Sequence, residues 1–265
     1  FLYKLPRKQV LLMLAMLPPV FYAYVSNQRR ASYISVVLAL ALMALPLYKE
    51  NRKAFWRIVP TLAVLGVMYT AAFWNNTSGI GAPARAIRSV IAPVKDGRDD
   101  RSNVYRDIEN INTGYTIRKN PLTGVGFGQK FFIIAPLPDI SFFAWWEYIT
   151  HNSVIWFWMK TGGGGFFMMG FLVSFSLMRG ARVVWRAPSG WMAAAGLLAS
   201  LYIVMHFVYA YVDMSWEGQS LMYVGLMMGL INSLERIIAV PVKVPPKRWL
   251  WQPEPRPVPG LLPID

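Results

Sequence analysis

The feature that most constrains this chain is a set of nearly charge-free apolar runs, each close to the ~20 residues that a helix needs to cross a bilayer. About six can be read: residues 9–25, 33–48, 55–74, 152–178, 191–212 and 219–240. A hydrocarbon interior leaves no water for backbone amides, so runs of this length are expected as helices. The expected fold is therefore all-α, an integral membrane helical bundle of about six spans. The first two runs are short and lean on Lys and Arg at their ends, and Pro18-Pro19 is expected to kink the first. A disordered chain and a soluble nucleic-acid binder are both excluded by 55% hydrophobic and only 15% charged residues.

The net charge of +14 does not call for nucleic acid once its location is considered. Between residues 75 and 150 the basic and acidic residues nearly balance, and the surplus sits on short segments beside the apolar runs. Lys4, Arg7 and Lys8 precede the first run; Lys49, Arg52, Lys53 and Arg57 separate the second from the third. Arg179, Arg182 and Arg186 separate the fourth from the fifth, and Arg236, Lys243, Lys247 and Arg248 follow the sixth. A basic bias of this kind faces the cytoplasm and touches membrane lipids. Both ends of the segment are then cytoplasmic, and the Asp213/Glu217 turn lies outside. Arg29 and Arg30 fall on the outer face, against the charge rule: either two tolerated charges or a pair retained to hold an anion. The chain starts Phe1-Leu2-Tyr3-Lys4 and is expected to be a piece of a longer protein. Residues 1–240 are expected to form the membrane domain, with 75–151 as one large external loop, and 241–265 an irregular cytoplasmic tail.

Inside that loop Val104, Ile108, Ile111 and Tyr115 recur at helical spacing and predict one apolar face, with Asp99, Asp100 or Ser102 as cap. Arg106 lies nearly opposite, and Lys119-Asn120-Pro121 with Gly124 ends the helix. Gly124, Gly126 and Gly128 shape a turn, since the later glycine of a dinucleotide fingerprint is missing. The run Gly162 to Gly165 predicts a break or a close packing within the fourth span. His206 shares a face of the fifth span with Tyr209 and Asp213, and reads as a structural hydrogen-bonding residue.

The string Asn120-Pro121-Leu122-Thr123-Gly124-Val125-Gly126-Phe127-Gly128 is followed by Tyr148-Ile149-Thr150-His151-Asn152-Ser153 at the mouth of the fourth span. With the Arg-bearing external helix, this resembles the O-antigen ligase and polymerase family over about residues 26 to 180, with the chain as its C-terminal portion. The resemblance implies transfer of a glycan from an undecaprenyl diphosphate carrier to a hydroxyl acceptor, on the external face of a bacterial inner membrane. No metal, nucleotide sugar or other cofactor is implied. The partners are a lipid-linked saccharide donor and a lipid or glycan acceptor, in assembly of lipopolysaccharide or a related cell-envelope polysaccharide. The family's earlier Arg falls on Arg30, although Arg29 stands where Ser is usual, so the choice between the two is open. The loop Arg falls on Arg106 and the His on His151, with Arg118, Lys119 and Asn152 as secondary candidates.

These residue types suit that chemistry. Guanidiniums give bidentate, permanently charged contacts to a diphosphate leaving group whose negative charge grows as the glycosidic bond breaks. An imidazole accepts a hydroxyl proton near neutral pH. Inversion is expected, because no carboxylate stands out as a covalent nucleophile. Each residue alone has a plainer reading: Arg30 as an interfacial anchor, Arg106 paired with Glu109 or Asn110 on its own helix, His151 as an interfacial polar group. A repeat-unit polymerase of the same family and a transporter of lipid-linked saccharides are the other two functions compatible with these features.

Overall fold

The computed structural model describes residues 6–26, 29–92, 98–138, 142–215 and 218–239, together with the backbone alone at a few helix ends. Eight α-helices run through them: α1 (Arg7–Ser26), α2 (Arg30–Glu50), α3 (Arg52–Ala72), α4 (Ala82–Ile91), α5 (Arg98–Lys119), α6 (Ser153–Arg186), α7 (Gly190–Val212) and α8 (Gly218–Ala239). Six of these, all but α4 and α5, are long and apolar enough to cross a membrane. No strand occurs among the described residues. The tail expected at 241–265 lies outside the described residues, as does Glu217.

The packed centre is α6, α7 and α8, with α2 laid along α7. Small residues make the close approaches, because lipid gives helices no hydrophobic reason to associate and van der Waals contact has to do it. A Cβ on Gly180 of α6 would sit 2.1 Å from Ser200 Oγ of α7, and one on Gly196 would sit 2.5 Å from Val183. Below that crossing Ala199, Ile203 and Ile231 close the core. α1 and α3 bury no residue and turn apolar side chains outward, as helices facing lipid do.

Lys49 at the end of α2 stacks 4.1 Å over Trp185 near the end of α6, and Arg179 and Arg182 pair with Glu235 of α8 at 2.8 and 3.1 Å. The basic connectors thus gather at one end of the bundle. At the other end, Ser153 at the start of α6 donates to the Asp213 carbonyl just past α7.

Between those two α6–α7 contacts α6 has about 40 Å of helix, Ser153 to Gly180, where α7 has about 20 Å, Asp213 to Ser200, at 1.5 Å per residue. A straight α6 could not keep both. The mismatch is taken up at Gly162, whose φ of 68° and ψ of −174° break the helix, the break expected from the glycine run. The turn after α5 fills it. Gly163 N–H donates to Pro121 O at 2.8 Å, while the released carbonyls of Met159 and Lys160 accept from Val125 and Gly126 at 2.9 and 3.0 Å. The two backbones touch: a Cβ on Gly162 would lie 2.1 Å from Leu122 O, and one on Gly124, φ 67°, would lie 2.5 Å from Gly162 N. Only glycine fits both places.

α5 spans Arg98 to Lys119, so Asp99, Asp100 and Ser102 lie inside it rather than capping it. Its burial also corrects the expected apolar face. Val104 and Ile111 are about half exposed, and the buried side is polar: Glu109, Asn112, Thr113 and Thr116. The cause is the chain that returns from the turn, which passes antiparallel along α5 without forming a strand. Asn112 Oδ1 accepts from Ile134 and Ala135 N–H, Asn112 Nδ2 donates to Ala135 O, and Thr116 Oγ1 accepts from Phe132 N–H, all at 2.8–2.9 Å. Buried amides must be paired, and side chains do it here. α4 was not apparent in the sequence; its Ala82 and Ala86 pack on Tyr33 of α2, and Arg85 and Arg88 donate to carbonyls just past α3.

Gly162→Ala is expected to destabilise the protein by roughly 3 kcal/mol, positive-φ strain and overlap acting together. Gly164→Ala, with open space around it, is expected to change stability by less than about 1 kcal/mol. Thermal unfolding in detergent compares them, and equal effects would contradict the backbone lock.

Candidate active site

The site lies at the end of the bundle where α5, the start of α6 and the end of α7 meet. Asn152 is the N-cap of α6, its Oδ1 accepting from Ile155 N–H at 3.1 Å, and the Thr150 hydroxyl donates to Asn152 O at 3.2 Å. Asn152 is thus buried and fixes the helix start. His151, immediately before it, is three-quarters buried at the side chain.

His151 is held by α5. Glu109, 1% exposed, receives the His151 backbone N–H on Oε2 at 2.7 Å, and the same oxygen lies 3.0 Å from Nδ1 of the imidazole. Tyr105, one turn earlier on α5, meets the imidazole edge to face with centroids 5.5 Å apart. Burial, and secondarily the charge of Glu109, push the Tyr105 phenol up to about 12, so it stays neutral and a donor. Arg106 follows Tyr105 and is half-buried, nearer the polar buried side of α5 than the sequence placed it. Glu109 is therefore engaged by His151, across the loop.

A second charged group adjoins the first. Arg29 Nη1 bonds Asp213 Oδ2 at 2.6 Å, with the carboxylate 7% exposed and the guanidinium 55%. The Asp213 charge raises the Arg29 pKa above its already high ordinary value. Asp213 also accepts from Tyr209 at 3.3 Å and from Met214 N–H at 2.9 Å. Ser153, two residues past His151, links the groups by donating to Asp213 O and accepting from Ser215 N–H at 3.0 Å. Arg30 opens α2 beside Arg29; its side chain lies outside the described residues. Arg118 and Lys119 are exposed in the last turn of α5, with Lys119 over the Tyr115 ring at 5.4 Å. They stand about two and a half helical turns from Glu109, toward the backbone lock and away from His151. His206 stacks on Tyr202 and meets Phe207 edge to face, within the bundle.

Directly beneath Asp213 an apolar groove of about 380 Å³ opens between α2, α6 and α7, lined by Ile34, Val154, Phe207, Val208, Tyr211 and Val212. Its walls continue from Ser153 and Asp213, so a charged cluster and an apolar channel share one edge.

A family model described as O-Antigen ligase matches residues 11–170, which includes α5, the glycine turn, the His151 mouth and the break in α6. The chain belongs to the O-antigen ligase family. Membership, with six membrane-length helices, makes it an integral membrane protein of the ligase and polymerase kind of glycosyltransferase, a family that acts on lipid-linked glycans. No curated protein and no solved structure matches the chain.

Sequence reasoning missed the acidic partners. Glu109 was visible only as a possible neighbour of Arg106, and its i, i+4 spacing from Tyr105 marks the face that meets His151. Asp213 carried two signals: a helix face shared with Tyr209, which donates to it, and a place at the same end of the bundle as Arg29. A double-mutant cycle of Arg29→Ala and Asp213→Asn is expected to give a coupling of about 1 kcal/mol, above an exposed pair and below a buried one. Strict additivity in thermal unfolding would show that the pair contributes nothing.

Proposed function

We propose that the chain transfers a glycan from an undecaprenyl-diphosphate-type carrier to a hydroxyl acceptor, as an O-antigen ligase, at the external face of a bacterial inner membrane. The observation that carries this reading is the direct contact between the arginine-bearing helix α5 and His151 at the mouth of α6. His151 takes the acceptor proton. Arg106 and Arg30, with Arg29 as the other candidate, bear on the diphosphate as its charge grows, and Arg118, Lys119 and Asn152 are secondary. The groove beside Asp213 has the apolar lining that a polyprenyl chain requires.

Inversion without a covalent intermediate is supported by the state of the nearby acids. Glu109 is buried and occupied by two His151 nitrogens, and Asp213 is paired with Arg29, so neither carboxylate is free to attack an anomeric carbon. The reaction proceeds without a metal, guanidinium charge stabilising the leaving diphosphate. The orientation follows from charge: Lys49, Arg52, Lys53, Arg57, Arg179, Arg182 and Arg186 cluster at the end away from His151, and that end faces the cytoplasm. Residues 75–151 are then the external loop of a membrane domain covering 1–240.

The test is glycan transfer from native lipid-linked donor in membranes carrying the complete chain, with products resolved by size. His151→Ala is expected to lower the rate ~10²–10⁴-fold and Arg106→Ala ~10²–10³-fold, with expression and insertion unchanged. A single His151-dependent addition supports the ligase reading. A His151-dependent ladder makes the chain a repeat-unit polymerase, and donor crossing the membrane without transfer makes it a transporter. Normal transfer by both variants would overturn the site.

A further inference from the structure

Glu109 has no place in the transfer chemistry itself, yet it is among the most deeply buried acids of the described chain and spends one oxygen entirely on His151. We propose that Glu109 is the positioning residue of the site, holding the proton of the neutral His151 imidazole on Nδ1 so that Nε2 presents its lone pair to the acceptor hydroxyl. This rests on the reading of His151 as the base.

The geometry of Oε2 carries the argument. A backbone N–H can only donate, so at 2.7 Å from His151 N the oxygen is an acceptor. An ionised carboxylate has no hydrogen to donate, so Nδ1, 3.0 Å from the same oxygen, bears the hydrogen of this pair. A neutral imidazole carries one N–H, which leaves Nε2 bare. The chain enforces the arrangement twice over. The backbone bond fixes where the His151 main chain stands relative to Glu109, and the Tyr105 ring, edge to face at 5.5 Å from the same helix, limits rotation of the imidazole. Glu109 and Tyr105 are one turn apart on α5, so both constraints come from one rigid element.

The consequence for the reaction is a balanced proton path. The acceptor oxygen bonds to the anomeric carbon as its proton passes to Nε2. The bond from that carbon to the diphosphate oxygen breaks, and its electron pair leaves with the diphosphate. The imidazolium so formed lies against a carboxylate with which it is already in register. With the proton on Nε2 instead, the nitrogen that meets the acceptor would be a donor and the site would be inert at that step.

The chain has two histidines, so His206→Gln leaves His151 as the single imidazole. Nitrogen NMR of this chain, imidazole-labelled and held in lipid nanodiscs, then reads its tautomer without any assay of activity. The expected result is protonated Nδ1 and bare Nε2 at a pH where the ring is neutral, with Glu109→Ala giving a mixture or the opposite tautomer. Glu109→Gln keeps a carbonyl oxygen that accepts both bonds, and is expected to keep the tautomer. In transfer, Glu109→Ala is expected to lower kcat ~10³–10⁴-fold, as a wrong tautomer does in a serine protease triad, with KM for the donor unchanged. Glu109→Gln is expected to recover at least ~10-fold of that loss.

A wild-type His151 with its proton on Nε2 overturns the proposal, as does a tautomer that Glu109→Ala leaves unaltered. A tautomer lost in Glu109→Ala with transfer intact leaves the Glu109 assignment standing and removes His151 from the role of base. The failure of the positioning role is thus distinguished from the failure of the proposed function. If the alanine variant does not fold, the wild-type tautomer still decides, since a proton on Nε2 overturns the proposal whatever the variant does.

Discussion

Everything at the functional end of this molecule depends on three backbone groups that the break in α6 sets free. When Gly162 leaves the helix, Met159 and Lys160 lose the amides that would have closed their turns, and Gly163 loses its carbonyl. In an apolar medium each unpaired group costs several kcal/mol. The turn from Pro121 to Gly126 supplies all the missing partners at 2.8–3.0 Å, and Lys160 Nζ adds a bond to Gln129 O. A bend that would otherwise be prohibitive becomes a fixed joint, and the outer segment of α6 is turned toward α5.

That joint is one of two fastenings. Glu109 to His151 is the other, and the residues between them, Glu109 to Asn120 on α5 and His151 to Gly162 on α6, are equal in number. α5 and outer α6 therefore run side by side in parallel for about three turns, attached at both ends. Parallel neighbours need a returning connection, and the chain from Phe127 to Thr150 provides it, drawing its hydrogen bonds from Asn112 and Thr116. The polar interior of α5 is a consequence of this topology. Opposite charges complete the arrangement: Arg29 and Asp213 tie the α1–α2 turn to α7, beside the opening of an apolar groove.

The sequence carried the bundle well because lipid imposes a simple rule, and six apolar runs of the right length leave little freedom. It carried the turn at glycines 124, 126 and 128, which take positive φ, and narrowed the Gly162 to Gly165 run to a break or a close packing, both of which occur at Gly162. It misjudged α5. Apolar periodicity identifies a buried face only when burial is apolar, and here Val104 and Ile111 face outward while Glu109, Asn112 and Thr116 face in. The partners Glu109 and Asp213 were illegible for a related reason. Their meaning comes from residues 42 and 184 positions away, and no local pattern records such pairings. α4 was lost because its buried residues are three alanines and Ser89, which give periodicity almost no contrast.

The most direct test of this account is backbone hydrogen exchange of the wild-type protein in lipid nanodiscs, resolved to single amides between 120 and 165. The double fastening predicts that Val125, Gly126 and Gly163, although outside regular helix pairing, exchange as slowly as the helical amides of α6. It also predicts that His151 N–H opens in the same event. Rapid exchange at Val125 and Gly126 while α5 and α6 remain protected would mean that the turn is not locked into the break, and that something else sets the position of His151.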